Sequence, residues 1–216
     1  MRIETFTGGP FVENGYVAVC EGTSATVVID PGAAAPEMVA FLRSEGLQLD
    51  AILLTHAHLD HIDGLPAVLE HASAPVYLHP DDRRLYDSAP AQGAAFGVAV
   101  PQLPPPDREL AHGDTFSFGE CAFAVSHTPG HAPGHVIFYA ADQGVAFVGD
   151  VVFAGSIGRT DLPGGNYQDL FESIREHVLT LPDETRMFTG HGPPTTVGHE
   201  RVSNPFLIPH YGGELA

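Results

Sequence analysis

Between residues 51 and 61 the chain passes from an apolar run, Ala51-Ile52-Leu53-Leu54, into Thr55-His56-Ala57-His58-Leu59-Asp60-His61. A short apolar run of this kind suits a buried strand. Four metal-capable side chains at its end demand a fold that gathers strand ends around a common point. In extended backbone alternate side chains share a face, so His56 and His58 are placed to grip one ion together. Asp60 and His61 fall where the chain turns into its next element and are placed to face a neighbouring ion. The block predicts two metals side by side, against the bland alternative of a His-rich surface loop.

Three later segments repeat the same grammar. Pro129-Gly130-His131 follows the apolar strand Ala122 to Val125, Val148-Gly149-Asp150 ends the strand Val145 to Val148, and Thr189-Gly190-His191-Gly192-Pro193 follows the strand Thr185 to Phe188. Each sets a metal ligand beside a glycine at a strand end, where the backbone can turn tightly and approach a ligand closely.

The surrounding pattern predicts alternating strands and helices. Short strands fall at Thr5–Thr7, Gly15–Val19 and Ala25–Ile29, then a helix over Pro36–Glu45 that closes at Gly46. Helices are predicted over Leu65–His71, Pro80–Ser88, Tyr167–Leu179 and Val197–Asn204, with further strands at Pro75–Leu78, Thr115–Phe118, Cys121–Ser126 and Val136–Ala140. Ala89–Pro106, with five prolines, reads as a long loop or lid near a functional site. Strands, helix, strand, helix recurs in each half, which fits two packed sheets with helices outside.

Charge and cysteine content narrow the function. The formal net charge is −18, and all nine basic residues are arginine. Such a surface repels phosphate backbones, so nucleic acid is not expected as a partner. No apolar segment approaches bilayer length and no signal-peptide pattern precedes Ile3, so the expected setting is the cytoplasm, away from membranes. Cys20 and Cys121 read as buried free thiols on strands.

Taken with Val28-Ile29-Asp30-Pro31-Gly32, Thr128 to His135 and Gly158 to Gly165, these motifs make the chain resemble the metallo-β-lactamase superfamily. Within it the chain is most similar to the compact bacterial relatives of glyoxalase II, the hydroxyacylglutathione hydrolases. The resemblance runs nearly end to end, reaching Glu200-Arg201 and Asn204-Pro205-Phe206. It implies an α/β fold, the four-layer αββα sandwich, with residues 1–216 as one domain and without the C-terminal helical domain that completes the glutathione pocket of larger glyoxalase II enzymes. It implies that His56, His58 and His131 hold one divalent ion, that Asp60, His61 and His191 hold a second, and that Asp150 bridges them. Zn2+ is the expected metal, with iron or manganese as alternatives. The implied reaction is hydrolysis of a small-molecule thioester, such as S-lactoylglutathione, by metal-activated water, with Asp60 and Asp150 in the catalytic centre.

Neighbouring residues carry alternatives. Asp30 is either a turn cap or the acceptor for a ligand imidazole. His135, four residues after His131, is implied to stand behind the ligands rather than among them. Arg159 matches a basic residue that glyoxalase II sets near its thiol conjugate, and it is equally suited to pair with Asp161. The tyrosine expected soon after that position is replaced within Thr160-Asp161-Leu162, which puts glutathione specificity in question. His71, His79, His112, His127, His177, His199 and His210 read as ordinary surface or core histidines. Rival functions are a persulfide dioxygenase with one iron on a facial triad, a lactonase or β-lactamase, and a metal-binding module without turnover.

Overall fold

The computed structural model describes residues 1–208; His210, expected to be an ordinary histidine, lies outside them. Two six-stranded sheets pack face to face. The first contains β1 (Arg2–Gly8), β2 (Glu13–Val19), β3 (Thr26–Ile29), β4 (Leu49–Leu53), β5 (Val76–Leu78) and β6 (Arg108–Glu109), adjacent in that order. β1, β2 and β3 pair antiparallel, and β3 to β6 run parallel. The second contains β7 (Thr115–Phe118), β8 (Cys121–His127), β9 (Val136–Ala140) and β10 (Val145–Gly149). A short hairpin of β11 (Val152–Phe153) and β12 (Ser156–Ile157) follows, and β13 (Arg186–Thr189) and β14 (Thr195–Thr196) complete the sheet in the order β14-β13-β10-β9-β8-β7.

Residue alternation explains the layering. On β2, β3 and β10 the side chains of Ala18, Val27, Ile29 and Phe147 enter the core between the sheets, where they meet Phe123, Phe138 and Phe188. Their neighbours Val17, Val19 and Val28 face outward onto Met38 and Leu42 of α1 (Ala35–Glu45). Ala146 and Val148 likewise face Leu170 of α6 (Tyr167–Ser173). Both faces of these strands are buried, which is why they read as continuous apolar runs. The result is the αββα sandwich that the motifs imply.

The second half of the ligand block lies on α2 (Leu59–Ile62), which carries Asp60 and His61, and α3 (Leu65–His71), which packs on α1, follows it. The segment expected to be a helix over Pro80–Ser88 is a 3-10 turn at Pro80–Asp82 followed by α4 (Arg83–Asp87). The expected loop over Ala89–Pro106 needs correction, because its first half is α5 (Ala89–Phe96). Pro90 sits in the first turn, where its missing N–H is no loss, and Gly97 ends the helix in a left-handed conformation at φ 73°. The expected helix over Tyr167–Leu179 is α-helical only to Ser173 and continues as a π-helical turn over Ile174–Val178. The chain's last described helix, α7, spans Val197–Ser203.

Cys20 and Cys121 are free thiols, Cys20 buried and Cys121 partly so, and the Cys121 thiol donates to Cys20 Sγ at 2.6 Å, across the two sheets. No helix among the described residues is long and apolar enough to cross a membrane.

Candidate metal centre

All seven expected ligands converge at one edge of the sandwich. The ligand atoms of His56, His58 and His131 lie within 4.8 Å of one another, and so do those of Asp60, His61 and His191. Asp150 stands between the two groups. Its Oδ1 is 3.4 Å from His61 Nε2, and its Oδ2 is 3.3 Å from His131 Nε2 and 3.5 Å from His191 Nε2. Asp60 Oδ2 closes the second group at 3.3 Å from His191 Nε2.

The backbone makes this convergence possible at two glycines. Gly149 adopts φ 46°, and a Cβ there would meet Thr55 Oγ1 at 2.6 Å and His135 Nε2 at 2.7 Å. A Cβ on Gly190 would overlap Asp150 Oδ1. Hydrogen bonds then stitch the sheets together at this edge. Asn14 Nδ2 donates to the carbonyls of Thr189 at 3.1 Å and Gly192 at 2.8 Å, and Tyr16 Oη donates to Thr189 O at 2.6 Å.

The second layer fixes which nitrogen of each histidine faces inward. A carbonyl or carboxylate can only accept, so a ring nitrogen bonded to one carries the proton and leaves the other with a free lone pair. His131 Nδ1 donates to Arg159 O at 2.7 Å, His191 Nδ1 to Phe11 O at 3.1 Å, and His61 Nδ1 to Asp30 Oδ2 at 3.0 Å. His56 Nδ1 faces Thr55 Oγ1 at 3.1 Å, whose own proton goes to Asp30 Oδ2 at 2.6 Å. All four therefore point Nε2 inward. His58 differs, with Nδ1 set 2.8 Å from His131 Nε2.

Asp30 thus serves as the acceptor for a ligand imidazole and as an acceptor for the Thr55 N–H at 2.7 Å. It holds φ 48°, a conformation that aspartate tolerates better than most residues. His135 stands behind the ligands, since its Nε2 accepts from the Asp150 N–H at 3.1 Å, its Nδ1 faces Thr128 Oγ1 at 3.1 Å, and its ring stacks on His56 with centroids 4.8 Å apart. Arg159 forms the ion pair with Asp161, at 2.7 and 2.8 Å, while its backbone carbonyl orients His131.

Whether the residues suit a metal is decided by their unpaired atoms. His56 Nε2, His61 Nε2 and Asp150 Oδ1 are buried without a hydrogen-bond partner. Buried polar atoms left unpaired are rare because each costs the full desolvation penalty. Three of them in one imidazole and carboxylate cluster fit a divalent cation such as zinc or iron. The electrostatics agree. Burial, helped by neighbouring histidines, pushes His56 well below its usual range and His58 down to about 3. Around Asp150 burial is outweighed instead: the Asp150 and Asp60 carboxylates raise His61 well above its usual range and bring His191 up to about 10. The histidines in turn hold Asp150 far below the carboxylate range, against burial.

Several residues of the site carry no sequence motif. Asp82, fully buried, accepts the N–H groups of Ala57 at 2.8 Å and of Gly134, tying the two ligand loops together. Gln92 of α5 accepts from Leu59 N and donates to Ala57 O, both at 3.1 Å. Glu13 is buried 3.9 Å from His61 Nδ1, and burial raises its carboxyl well above its usual range. Polar residues at the start of the otherwise apolar β2 were the available signal for Glu13 and Asn14. His79 and His127, expected to be ordinary, stack at 4.0 Å beside Asp81.

A cavity of about 750 Å³ opens over both groups, reaching His58 and His131 of the first and Asp60 and His191 of the second, and is walled by Phe11, Leu59, Leu85, Phe96 and Leu162. Phe11 and Phe96 meet edge to face at 5.0 Å.

Known proteins share this arrangement. The sequence profile of the metallo-β-lactamase superfamily matches residues 8–191. The chain belongs to the metallo-β-lactamase superfamily. Among relatives in that superfamily, the probable metallo-hydrolase YqgX of Bacillus subtilis is 39% identical over 92% of this chain and 94% of its own length. The hydroxyacylglutathione hydrolase GloC of Haemophilus influenzae is 36% identical over 96% and 98%. Among solved superfamily structures, the BLEG-1 B3 metallo-β-lactamase superposes with TM-score 0.89 at 40% identity, covering 96% of this chain and all of that one. A di-iron-bound form of TTHA1623 gives 0.87 at 45%, covering 94% and 100%. ETHE1 from Myxococcus xanthus gives 0.78 at 26%, covering 95% and 84%.

Proposed function

We propose that the protein is a dinuclear metal-dependent thioesterase of the glyoxalase II type. The carrying observation is the pair of ligand groups around Asp150, with Asp60 and His191 completing the second. A site for one ion on a facial triad has no need of that second group. His56, His58 and His131 would hold one divalent ion, Asp60, His61 and His191 the other, and Asp150 both. Zinc is the metal we assign, and the di-iron form of a 45% identical neighbour makes iron the alternative to test. Ions held there acidify water and polarise a carbonyl.

The chain's own residues prepare the rest. Asp30, Thr55, Phe11 and the Arg159 carbonyl lock the imidazole tautomers. Asp82 and Gln92 hold the Ala57–Leu59 backbone in place. The apolar cavity wall excludes water around an acyl group. A thioester suits this setting because a simple thiolate, of pKa about 8.5, departs without full protonation. The 36% identical GloC relative, named a hydroxyacylglutathione hydrolase, supports that substrate class. The proposed partner is therefore a small-molecule thioester met in the cytoplasm.

The likeness to ETHE1 supports a second reading, a persulfide dioxygenase. Protein of measured metal content is assayed on S-lactoylglutathione, simpler thioesters, glutathione persulfide, a lactone and a β-lactam. The thioesterase reading predicts thiol release from the thioesters without oxygen consumption. Inert thioesters together with persulfide-dependent oxygen uptake would replace it with the dioxygenase.

A further inference from the structure

The chain has nine arginines and a net charge of −18, so a cation left unpaired is unusual in it. Eight of the nine have a partner. Arg2 pairs with Glu45, Arg83 with Asp87, Arg159 with Asp161, Arg175 with Glu176 and Arg201 with Asp183. Arg43 donates to His71, Arg108 to the Asp107 carbonyl, and Arg186 lies over the Phe188 ring. Arg84 alone makes no hydrogen bond, ion pair or ring contact among the described residues. It lines the cavity over the metal centre.

Its mounting is rigid even though its side chain is exposed. Leu85, the next residue, has its carbonyl bonded by Gln92 Nε2 at 2.9 Å and by Ser88 Oγ at 2.7 Å. The same Gln92 amide grips Ala57 O, between His56 and His58. Tyr86, fully buried, donates to Pro104 O at 2.8 Å. The backbone beside Arg84 is thus clamped to the loop that carries the candidate ligands, and its exposed side chain is rooted in the wall of the cavity. Arg159, the cation that the motif suggests, has two of its N–H groups committed to Asp161. Asp81 also lines the cavity, but its Oδ2 is directed towards His79 Nδ1 at 3.8 Å and His127 Nε2 at 4.0 Å. Asp82 is spent on two backbone N–H groups.

We propose that Arg84 forms an anion-binding subsite at the cavity mouth and that the substrate is a thioester carrying a carboxylate. The guanidinium grips that carboxylate with two parallel N–H···O bonds while the apolar wall takes the uncharged part. The inference rests on the thioesterase reading for the reacting bond, but not for the anion. The carboxylate sits on either the thiol or the acyl side, and substrates distinguish the two.

The test compares Arg84→Ala, Arg84→Lys and a control, Arg83→Ala, in the metal-loaded protein. Substrates are S-lactoylglutathione, S-succinyl-N-acetylcysteamine and the uncharged S-lactoyl-N-acetylcysteamine. Arg84→Ala is expected to raise KM about tenfold for at least one carboxylated substrate, as befits loss of a charge-assisted contact. It should leave the uncharged one within twofold, with kcat little changed. Arg84→Lys should recover part of the loss, and Arg83→Ala should match wild type. Calorimetric binding of S-hexylglutathione, a thioether that cannot be hydrolysed, gives a readout independent of turnover: its Kd weakens about tenfold in Arg84→Ala when the carboxylate gripped is on the thiol side, and the KM for S-succinyl-N-acetylcysteamine reads the acyl side. If no thioester is hydrolysed but thioether binding depends on Arg84, the subsite stands and the thioesterase reading falls. If thioesters are hydrolysed and Arg84→Ala matches wild type, or raises KM equally for the uncharged substrate, the subsite is overturned. A wild-type protein that neither hydrolyses nor binds these compounds overturns both.

Discussion

The two ligand groups share Asp150 but differ in kind. His56, His58 and His131 form a buried imidazole cage in which burial suppresses protonation. Asp60, His61 and His191 include a carboxylate, and two of the three are more exposed, with side-chain exposures of 18% for Asp60 and 28% for His191. Nitrogen donors and deeper burial suit the first group to retaining an ion. Both groups reach the cavity, through His58 and His131 and through Asp60 and His191. Each group takes two residues from the block behind β4 and its third from the second sheet, His131 from the loop behind β8 and His191 from the loop behind β13. The difference in burial predicts that the first group holds its ion more tightly than the second.

The largest effect should come from removing what the groups share. Asp150→Ala is expected to bring hydrolysis to background and to lower metal content from two ions to one or fewer per chain, measured by elemental analysis and single-turnover rate. Full metal occupancy with near wild-type rate would show that Asp150 is not the bridge. Next, His58→Ala and His191→Ala should part company. His191→Ala should keep one tightly held ion, and chelator should strip the wild type's ions in two phases, with only the slow phase surviving in that variant. Identical chelation curves for the two variants would erase the distinction between the groups.

A smaller effect is expected at Asp30, which orients His61 and receives the Thr55 hydroxyl that faces His56. Asp30→Asn should weaken metal affinity by about 10–100-fold, the usual consequence of losing the partner of a ligand histidine. Unchanged affinity would assign Asp30 to the turn alone. The smallest concerns Asp82, whose carboxyl is pushed up to about 6 by burial, against the pull of the Gly134 and Ala57 N–H groups. A raised folded-state value means that its contribution is whole below about pH 4 and is lost as pH rises through 6. The loss is on the order of 3 kcal/mol for a shift of about two units. Denaturant unfolding at pH 4 and pH 7 should show that Asp82→Asn lacks this part of the decline; parallel declines in variant and wild type would refute it.

The sequence exposed the ligands because they occupy strand ends flanked by glycine, and the sandwich because strands buried on both faces read as apolar runs. It concealed residues whose roles arise from tertiary contact. Asp82, Gln92 and Arg84 lie on or beside short helical turns with no spacing that marks them; the first two meet the ligand loops, and Arg84 the cavity, only after folding. α5 was hidden because Pro90 looks like a breaker until its first-turn position is known. The strands β6, β11, β12 and β14 have two residues each, too few to show a period. For Asp30 and Arg159 two roles were open from sequence. Geometry gives Asp30 to a ligand imidazole and pairs the Arg159 side chain with Asp161.

The central claim is a dinuclear centre, and anomalous diffraction from crystals of the metal-loaded protein tests it most directly. The predicted result is two peaks about 3.5–4 Å apart, one within reach of His56, His58 and His131 and one within reach of Asp60, His61 and His191, with Asp150 touching both. A single peak at full occupancy, with Asp60 turned away from it, would contradict the account.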